Sequence, residues 1–267
     1  MYVHLTARSR RFLFNDIALS LYAWSALRAA FPTAVAACLM GNHLHLVVWV
    51  ADPTEAVTRL CRVIGGITRV ARIERGWWFP LAPAQRIAGI GKLRAQVRYV
   101  VLNPCRADLV SDPLAWPWTT HRDVVGAVFE PWIDANRLAQ VLGEPSLGFV
   151  DAHHRFVSND TKVAIGGTPA PVTASTTTIA SYPLASIAAA ACAATRSPRA
   201  YLLARSLARR AFVLLSFDQG WTGAAQVGAA CGVTPGSIRR ILNEPDAALL
   251  AAARLTLADD RLRHWPV

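Results

Sequence analysis

Short β-rich runs alternate with helical patterns over the first 130 residues of the chain. The β-rich runs extend from Tyr2 to Ala7, from Thr33 to Leu39 and from His43 to Val50. The helical patterns extend from Asp16 to Phe31, from Pro53 to Arg75 and from Gly91 to Asn103. We expect the last helix to end at Asn103, because the residue before a proline is pushed out of helical geometry. Strands interleaved with helices predict an α+β domain built on a sheet.

The composition changes beyond residue 130. Residues 166–183 are rich in Thr, Ala and Pro, which is typical of a linker. From Leu184 onwards the chain is rich in Ala, Leu and Arg and has helical patterns throughout. We therefore expect an α+β domain at residues 1–130, a connector with a low-complexity linker at residues 131–183, and an all-α domain at residues 184–267.

The chain has 267 residues, a formal net charge of +11 and 53% hydrophobic residues. The hydrophobic content excludes a chain disordered throughout, and the charge favours a polyanionic partner, with nucleic acid as the first expectation. Five widely spaced cysteines without a CxxC pair argue against a disulfide framework and a zinc finger. We expect a reduced, cytoplasmic protein. We expect no signal peptide and no membrane span, because the long uncharged runs contain polar residues, Gly or Pro.

Two histidines lie in the third β-rich run, within the segment LMGNHLHLVV. Because side chains alternate along a strand, His43 and His45 share one face while Leu44 and Leu46 occupy the other. Two imidazoles at this spacing can converge on one divalent ion. Taken alone, the pair is as compatible with a polar surface as with a metal site, and zinc hydrolases also contain it.

Tyr99 and Asn103 are four residues apart in the last helical pattern, so they share a helix face. A phenol is a good nucleophile when a base or a nearby cation favours its phenolate. Taken alone, Tyr99 is a half-buried core aromatic and Asn103 a helix-terminating residue. Their combination with the two histidines favours a catalytic role.

Four ordered segments within roughly residues 1–125 resemble a known family. They are YVHLTAR at the start, CLMGNHLHLVV, RYVVLNPCRADLV and WPWTT. Their order and spacing resemble the single-tyrosine HUH transposases, and among these the REP-associated tyrosine transposases. The chain departs from the family pattern at Gly41, where proline is usual, and at Asp108, where glycine is usual. These departures leave the shape of two loops open.

The resemblance implies a ferredoxin-like HUH endonuclease domain with a central antiparallel sheet. It implies that His43, His45 and Asn103 bind Mg²⁺ or Mn²⁺ and that Tyr99 is the nucleophile. The implied reaction cleaves single-stranded DNA at palindromic hairpin sites, leaves a 5′-phosphotyrosine and a free 3′-OH, and transfers strands. The resemblance also favours a monomer over a dimer.

Several basic and aromatic residues are candidates for DNA contacts. Arginines contact phosphates and aromatic rings stack on bases, although any one of these residues is equally compatible with a solvated surface or a core position. The candidates are Arg8, Arg10, Arg11, Arg94, Arg98, Arg106, Trp77, Trp78 and Phe79. His4 is interpreted as an ordinary strand residue.

Residues 225–242 have the pattern of two helices joined by a glycine turn. Gly232 suits the turn, Thr234 can cap the second helix and Pro235 fits its first turn. With the helix before it, this pattern is similar to the helix-turn-helix of the replication initiator DnaA, which binds duplex DNA. The implied DNA contacts are Ser237, Arg239 and Arg240. A helical hairpin that binds nothing is the alternative.

Two other functions remain open from the sequence. A non-catalytic DNA-binding regulator on a transposase-derived scaffold would bind DNA without cutting it, although all four catalytic candidates are present. A zinc hydrolase built on the histidine pair would need a third ligand motif and an acidic general base, and the sequence shows neither.

Overall fold

The computed structural model describes residues 1–166 and 182–265, so most of the segment predicted as a linker lies outside the described residues. The described residues form two compact units. The first contains residues 1–124 and 132–166, and the second contains residues 125–131 and 182–265. Part of the expected connector is thus folded, because residues 135–158 contribute two helices to the first unit.

A four-stranded antiparallel sheet is the framework of the first unit. Its strands, in chain order, are β1 (Tyr2–Arg8), β2 (Ala34–Leu39), β3 (His43–Trp49) and β4 (Gln85–Ile87). Within the described residues, their spatial order is β2-β3-β1-β4, and every neighbouring pair is antiparallel. The prediction of an α+β fold is confirmed. The three-residue strand β4 was not predicted, because so short a run has no periodicity of its own.

The pairing register decides which side chains share a face of this sheet. In the β1–β3 pair, Thr6 lies opposite His45 and Arg8 lies opposite His43, while Gln85 of β4 lies opposite His4. Directly opposite residues of an antiparallel pair have their side chains on the same face. His4, His43, His45 and Gln85 therefore share one face. The other face carries apolar side chains that are all buried, namely Val3, Leu5, Ala7, Leu44, Leu46 and Val48.

Helices α1 (Ile17–Ala30) and α2 (Pro53–Val70) pack against each other in the first unit. Both begin at an aspartate cap, since Asp16 accepts a hydrogen bond from the Leu19 N–H and Asp52 accepts one from the Thr54 N–H. Along the chain the elements follow the order β1-α1-β2-β3-α2-β4. Helix α2 ends at Val70, five residues before the predicted end.

Helix α3 (Ile90–Val101) packs on strands β2 and β3 and buries Leu93, Val97 and Val100. It ends two residues earlier than predicted. Asn103 is the first residue of a further short helix, α4 (Asn103–Arg106), rather than the last residue of α3. The reason is that Pro104 lies in the first turn of α4, where its missing N–H costs no hydrogen bond.

Within the described part of the chain, the first unit contains three further helices. They are α5 (His121–Val124), α6 (Ala135–Leu142) and α7 (Phe149–Ser158), with 3-10 turns at Leu13–Asn15, Arg75–Trp77 and Pro113–Ala115. No helix among the described residues is long and apolar enough to cross a membrane.

His153 on helix α7 is buried, stacks on the ring of Phe149 at 5.3 Å between ring centres and lies 5.7 Å from the ring of His121. Burial, with smaller effects from Arg94 and His154, lowers the pKa of His153 to about 4. The unfolded chain takes up this proton near the ordinary histidine pKa of about 6.5, whereas the folded chain does not until about pH 4. The free energy of unfolding therefore decreases as the pH falls from about 6.5 to about 4.

We predict that the free energy of unfolding falls by up to about 3 kcal/mol between pH 7 and pH 4 through His153 alone. The variant His153→Leu should lose this part of the pH dependence. Urea denaturation of both proteins across that range measures it. Parallel pH profiles for the two proteins would contradict the prediction.

Among its described residues, the regular secondary structure of the second unit is all helical. Its helices are α8 (Leu184–Ala194), α9 (Leu207–Asp218), α10 (Ala224–Ala230), α11 (Pro235–Leu242), α12 (Ala247–Ala258) and α13 (Asp260–Arg263), with a 3-10 turn at Arg199–Leu203. Helix α8 is apolar on nearly all sides and packs against α9 and α12, so it forms the centre of this unit.

Helices α10 and α11 are joined by a short turn at residues 231–234. Gly232 in the turn has a φ of +68°, and the Thr234 hydroxyl accepts a hydrogen bond from the Ser237 N–H. Ile238 of α11 is fully buried. Helix α10 approaches the turn closely at Gly228, where an added Cβ would lie 2.5 Å from the carbonyl oxygen of Val233.

We predict that Gly228→Ala destabilises the second unit by about 2–3 kcal/mol, because the backbone of the turn must move to admit a methyl group. Gly236→Ala is the matched control, since its Cβ would meet nothing closer than 3.8 Å and alanine favours a helix. Thermal unfolding of both variants measures the difference. Equal melting temperatures of the two variants would show that the turn tolerates a methyl group at residue 228 and would contradict the prediction.

Candidate active site

Three histidines and a tyrosine come together on the polar face of the sheet. The ring centres of His43 and His45 are 5.0 Å apart. The ring of Tyr99, from helix α3, lies 5.9 Å from that of His45 and 6.2 Å from that of His4. Tyr99 is 37% exposed, so its ring lies beside the imidazoles and can still meet a substrate. The structure thus brings together the tyrosine and the histidines that the sequence singled out.

His4 is also part of this cluster, although the amino-acid sequence indicated only an ordinary strand residue at this position. Its Nε2 lies 3.1 Å from Nδ1 of His45, and its Nδ1 lies 3.5 Å from Oε1 of Gln85. The strands β1, β3 and β4 place these three residues side by side. Sequence alone could not find this contact, because it depends on a pairing between segments about 40 residues apart.

The surroundings of all three imidazoles favour the neutral form. Burial lowers the pKa of His45 to about 3, and the neighbouring His4 and His43 add to the effect. Burial also lowers the pKa values of His4 and His43, with the charge of Arg8 contributing at His43. Neutral imidazoles keep a lone pair, which is the form that binds a metal ion.

The pair His43 and His45 has the geometry of two ligands to one ion. A ring nitrogen lies about 2 Å from a metal that it binds, so two rings whose centres are 5.0 Å apart can reach the same ion. Nδ1 of His43 lies 2.8 Å from the Asn42 side-chain oxygen, which only accepts, so this nitrogen donates and Nε2 is left with its lone pair. Within the described ranges, no group of three or more His, Cys, Asp or Glu side chains could hold a metal.

Asn103 follows Tyr99 by four residues in the chain. It is the first residue of helix α4 and is buried. Its side-chain nitrogen donates hydrogen bonds to the carbonyl oxygens of Tyr99, at 3.0 Å, and of Val100, at 3.3 Å. The amide is therefore fixed through its nitrogen, and Oδ1 is the atom that could bind a metal. Among the described residues, its hydrogen bonds go to the backbone of α3 and not to the histidines.

A groove of about 510 Å³ opens beside Tyr99. The charged side chains in its lining are Arg86, Lys92, Arg98, Arg106, Lys162 and Asp160. The nearly buried Asp160 forms ion pairs with Arg98, at 3.0 Å, and with Arg106, at 3.6 Å. The Arg106 guanidinium also lies 5.1 Å from the centre of the Tyr99 ring. Cations outnumber acids in this groove, so it suits a polyanion.

The other predicted DNA contacts of the first unit lie in two different environments. Arg8, Arg10 and Arg11 are exposed, and the guanidinium of Arg10 lies 4.5 Å from the centre of the Phe79 ring while that of Arg11 lies 3.9 Å from the Trp77 ring. Arg94 instead forms an ion pair with Glu144 at 2.5 Å and stacks on Phe156.

Trp78 has a structural contact, because its indole N–H donates to the Thr68 hydroxyl at 3.1 Å. The exposed residues Arg8, Arg10, Arg11 and Phe79 and the half-buried Trp77 instead form one cationic and aromatic surface.

The second unit has its own cationic groove, of about 470 Å³. Its charged lining residues are Arg205, Arg209, Arg210, Arg240 and Glu244, and Ser237 also lines it. Glu244 is paired with Arg210 at 3.7 Å. Of the residues predicted to contact duplex DNA, Ser237 and Arg240 line this groove, whereas Arg239 is exposed on α11 outside it.

No protein-family model and no curated protein gives a significant match to this chain. Among solved structures, the chain matches a REP-associated tyrosine transposase bound to a REP hairpin, at 21% identity and a TM-score of 0.38. The match covers 46% of this chain and 77% of that chain. Over somewhat less than half of its length, the chain is therefore similar to a tyrosine transposase.

Proposed function

We propose that this chain is a metal-dependent single-strand DNA endonuclease and strand transferase that acts through Tyr99 at palindromic hairpin sites. The observation that carries the proposal is the position of the Tyr99 ring, 5.9 Å from His45 and at the edge of a cationic groove. An accessible phenol beside neutral imidazoles and cations is suited to attack on a phosphate. The element order β-α-β-β-α-β with the strand order β2-β3-β1-β4 is that of a ferredoxin-like domain, the fold that the sequence resemblance implies.

In the proposed reaction, the phenolic oxygen of Tyr99 loses its proton to solvent and forms a bond to phosphorus. The bond between phosphorus and the 3′ oxygen breaks, and that oxygen takes up a proton to become a free 3′-OH. The 5′-phosphate stays on Tyr99 as a phosphodiester. Because this link conserves the energy of the broken bond, the 3′-OH of another strand can reverse the step without a nucleotide triphosphate.

His43, His45 and Oδ1 of Asn103 would hold a divalent cation, Mg²⁺ or Mn²⁺. A bound cation there supplies positive charge that polarises the scissile phosphate and stabilises the departing oxygen. The neutral imidazoles fit this assignment, because a protonated imidazole has no lone pair to offer. Arg98 and Arg106, fixed by Asp160, would bind the flanking phosphates.

The substrate that fits this site is a single strand beside a hairpin. A strand free of its complement can turn a phosphate towards Tyr99, and its bases can stack on Trp77 and Phe79. The catalytic residues come from one chain, since β3 and α3 of the first unit bring His45 and Tyr99 together. We therefore propose that a monomer is sufficient for the reaction.

A labelled hairpin oligonucleotide with a single-stranded flank tests the proposal. Incubation with the full chain and Mg²⁺ or Mn²⁺ should give a protein–DNA adduct that resists detergent, and mass spectrometry should locate it on Tyr99. If a panel of genomic palindromes gives binding but no adduct with either metal, the chain is a non-catalytic regulator instead.

For the second unit, we propose duplex DNA as the ligand of the groove that contains Ser237 and Arg240. Four arginines line this groove, and its one acid is paired with an arginine. This excess of positive charge favours contacts with the phosphates of a DNA backbone. We predict that Arg240→Gln weakens the affinity for a hairpin-free duplex about five-fold and reduces its salt dependence. Fluorescence anisotropy measures both effects.

Arg199→Gln is the matched control, because Arg199 is an exposed arginine of the same unit outside the groove. Equal losses in the two variants would indicate a general charge effect, and the groove would then not be the binding site.

A further inference from the structure

Gln85, His4 and His45 form a row of hydrogen bonds across three neighbouring strands. Oε1 of Gln85 lies 3.5 Å from Nδ1 of His4, and Nε2 of His4 lies 3.1 Å from Nδ1 of His45. The two imidazole rings are nearly coplanar, with 12° between their planes and 5.3 Å between their centres. This is the separation of two imidazoles joined edge to edge by one hydrogen bond. The bond thus lies in the ring plane, where the nitrogen lone pair points.

The hydrogen bonds of this row all point the same way, because the side-chain oxygen of Gln85 can only accept a hydrogen bond. The carboxamide oxygen of Gln85 has no hydrogen to donate, so Nδ1 of His4 must donate to it. A neutral imidazole carries one ring proton, so Nε2 of His4 is left as an acceptor. Nδ1 of His45 must then donate to His4, and the one proton of neutral His45 lies on Nδ1.

We propose that His4 is a positioning residue that fixes His45 in the tautomer whose Nε2 is unprotonated. This inference rests on the proposed function, since it gives His45 the free lone pair that a metal ligand needs. A neutral histidine in water favours the opposite tautomer, with its proton on Nε2. Without His4, His45 would therefore present a proton where the site requires a lone pair.

Asn42 gives His43 the same orientation by a separate route, because its side-chain oxygen accepts from Nδ1 of His43 at 2.8 Å. Both histidines of the pair are thus oriented through Nδ1 and both keep Nε2 free. Partners of this kind fix the ring and the tautomer of metal-binding histidines, and their removal typically lowers metal affinity by about 10–100-fold.

The test uses the full chain labelled with ¹⁵N-histidine and measured without metal. Long-range ¹H–¹⁵N spectra at neutral pH report which nitrogen of each imidazole is protonated, and His45→Gln identifies the signals of His45. We expect wild-type His45 to be protonated on Nδ1. In His4→Phe, which keeps a flat ring at the position, His45 should move towards the Nε2-protonated form. His4→Gln should restore the wild-type tautomer, because its carboxamide oxygen can accept from Nδ1.

Calorimetric titration with Mn²⁺ provides the second measurement. His4→Phe should weaken Mn²⁺ binding about 10–100-fold, and His4→Gln should recover most of that loss. A merely structural role of His4 predicts no change of tautomer and no rescue by glutamine. Should His4→Phe fail to fold, Gln85→Leu removes the accepting end of the row from an exposed position and should shift the same His45 signals.

Two results would overturn the inference. One is a wild-type His45 protonated on Nε2, and the other is a His45 tautomer that stays the same in His4→Phe. The absence of a Tyr99 adduct would instead overturn the proposed reaction and leave the tautomer measurement intact, so the two failures are distinguishable.

Discussion

Replacing Tyr99 by phenylalanine is expected to abolish the covalent capture of hairpin DNA, with a loss of at least about 1,000-fold in adduct formation. The phenyl ring keeps the packing against His4 and His45 and the contact with the Arg106 guanidinium. Only the oxygen that would bond to phosphorus is removed. We therefore expect the affinity for the uncut hairpin to stay within about two-fold of the wild type, because the proposed phosphate contacts come from other residues. Denaturing gels measure the adduct and anisotropy measures binding.

Two further tyrosines provide the controls for this experiment. Tyr201→Phe changes an exposed tyrosine of the second unit and should leave adduct formation unchanged. Tyr2 lies on the same strand as His4, two residues before it, and shares its face of the sheet. If Tyr99→Phe still forms the adduct and Tyr2→Phe does not, the nucleophile is Tyr2 and the assignment of Tyr99 is wrong.

The sequence was sufficient for those parts of the fold that depend on local patterns. The strands around Tyr2–Arg8 and His43–Trp49 and the helix at Ile17–Ala30 match their predicted ranges closely, because each has its own periodicity and end signals. The strand β4 and the helices α6 and α7 were not predicted. The strand β4 is too short to have a periodicity of its own. Helix α6 has local signals that were missed, because Asp134 caps its start and Gly143, with a positive φ, follows its end.

In the candidate site, too, only the features that depend on local spacing could be predicted. The pairing of His43 with His45 and of Tyr99 with Asn103 can be predicted from spacing within one strand or one helix. The contacts of His4 with His45 and of Asp160 with Arg98 cannot, because they join residues 41 and about 60 positions apart. Predicting them would require the strand register and the position of α7, which only tertiary packing determines.

The positions of basic residues in the sequence did not predict which arginines line the groove beside Tyr99. Arg94 and Arg98 lie one helical turn apart on α3, and both stack on Phe156. Arg94 is turned to Glu144, whereas Arg98 lines the groove beside Tyr99. The difference comes from Glu144 and Asp160, which belong to the stretch expected to be a connector. An acid that is distant in sequence therefore decides whether a basic residue lines the groove.

Replacing His43 by alanine is expected to weaken Mn²⁺ binding by at least about 100-fold and to reduce DNA cleavage by a similar factor. His43 is one of two imidazoles whose ring centres lie 5.0 Å apart, and with one ring removed only two of the three proposed ligands, His45 and the amide of Asn103, remain. His43 is half-buried at the start of β3, so its truncation should leave the apolar face of the sheet intact. Calorimetric titration with Mn²⁺ and the adduct assay measure the two effects separately.

His264→Ala is the matched control for this variant, because it removes an exposed histidine of the second unit. It should bind Mn²⁺ and cleave DNA as the wild type does. Unchanged Mn²⁺ affinity in His43→Ala would place the metal elsewhere in the chain and contradict the assignment of the histidine pair. A stoichiometric, tightly held zinc that is lost in His43→Ala would favour the zinc hydrolase instead, because a strand transferase needs an exchangeable ion whereas the hydrolase keeps its metal. The adduct assay decides between these readings, since only the transferase forms a covalent bond from Tyr99 to DNA.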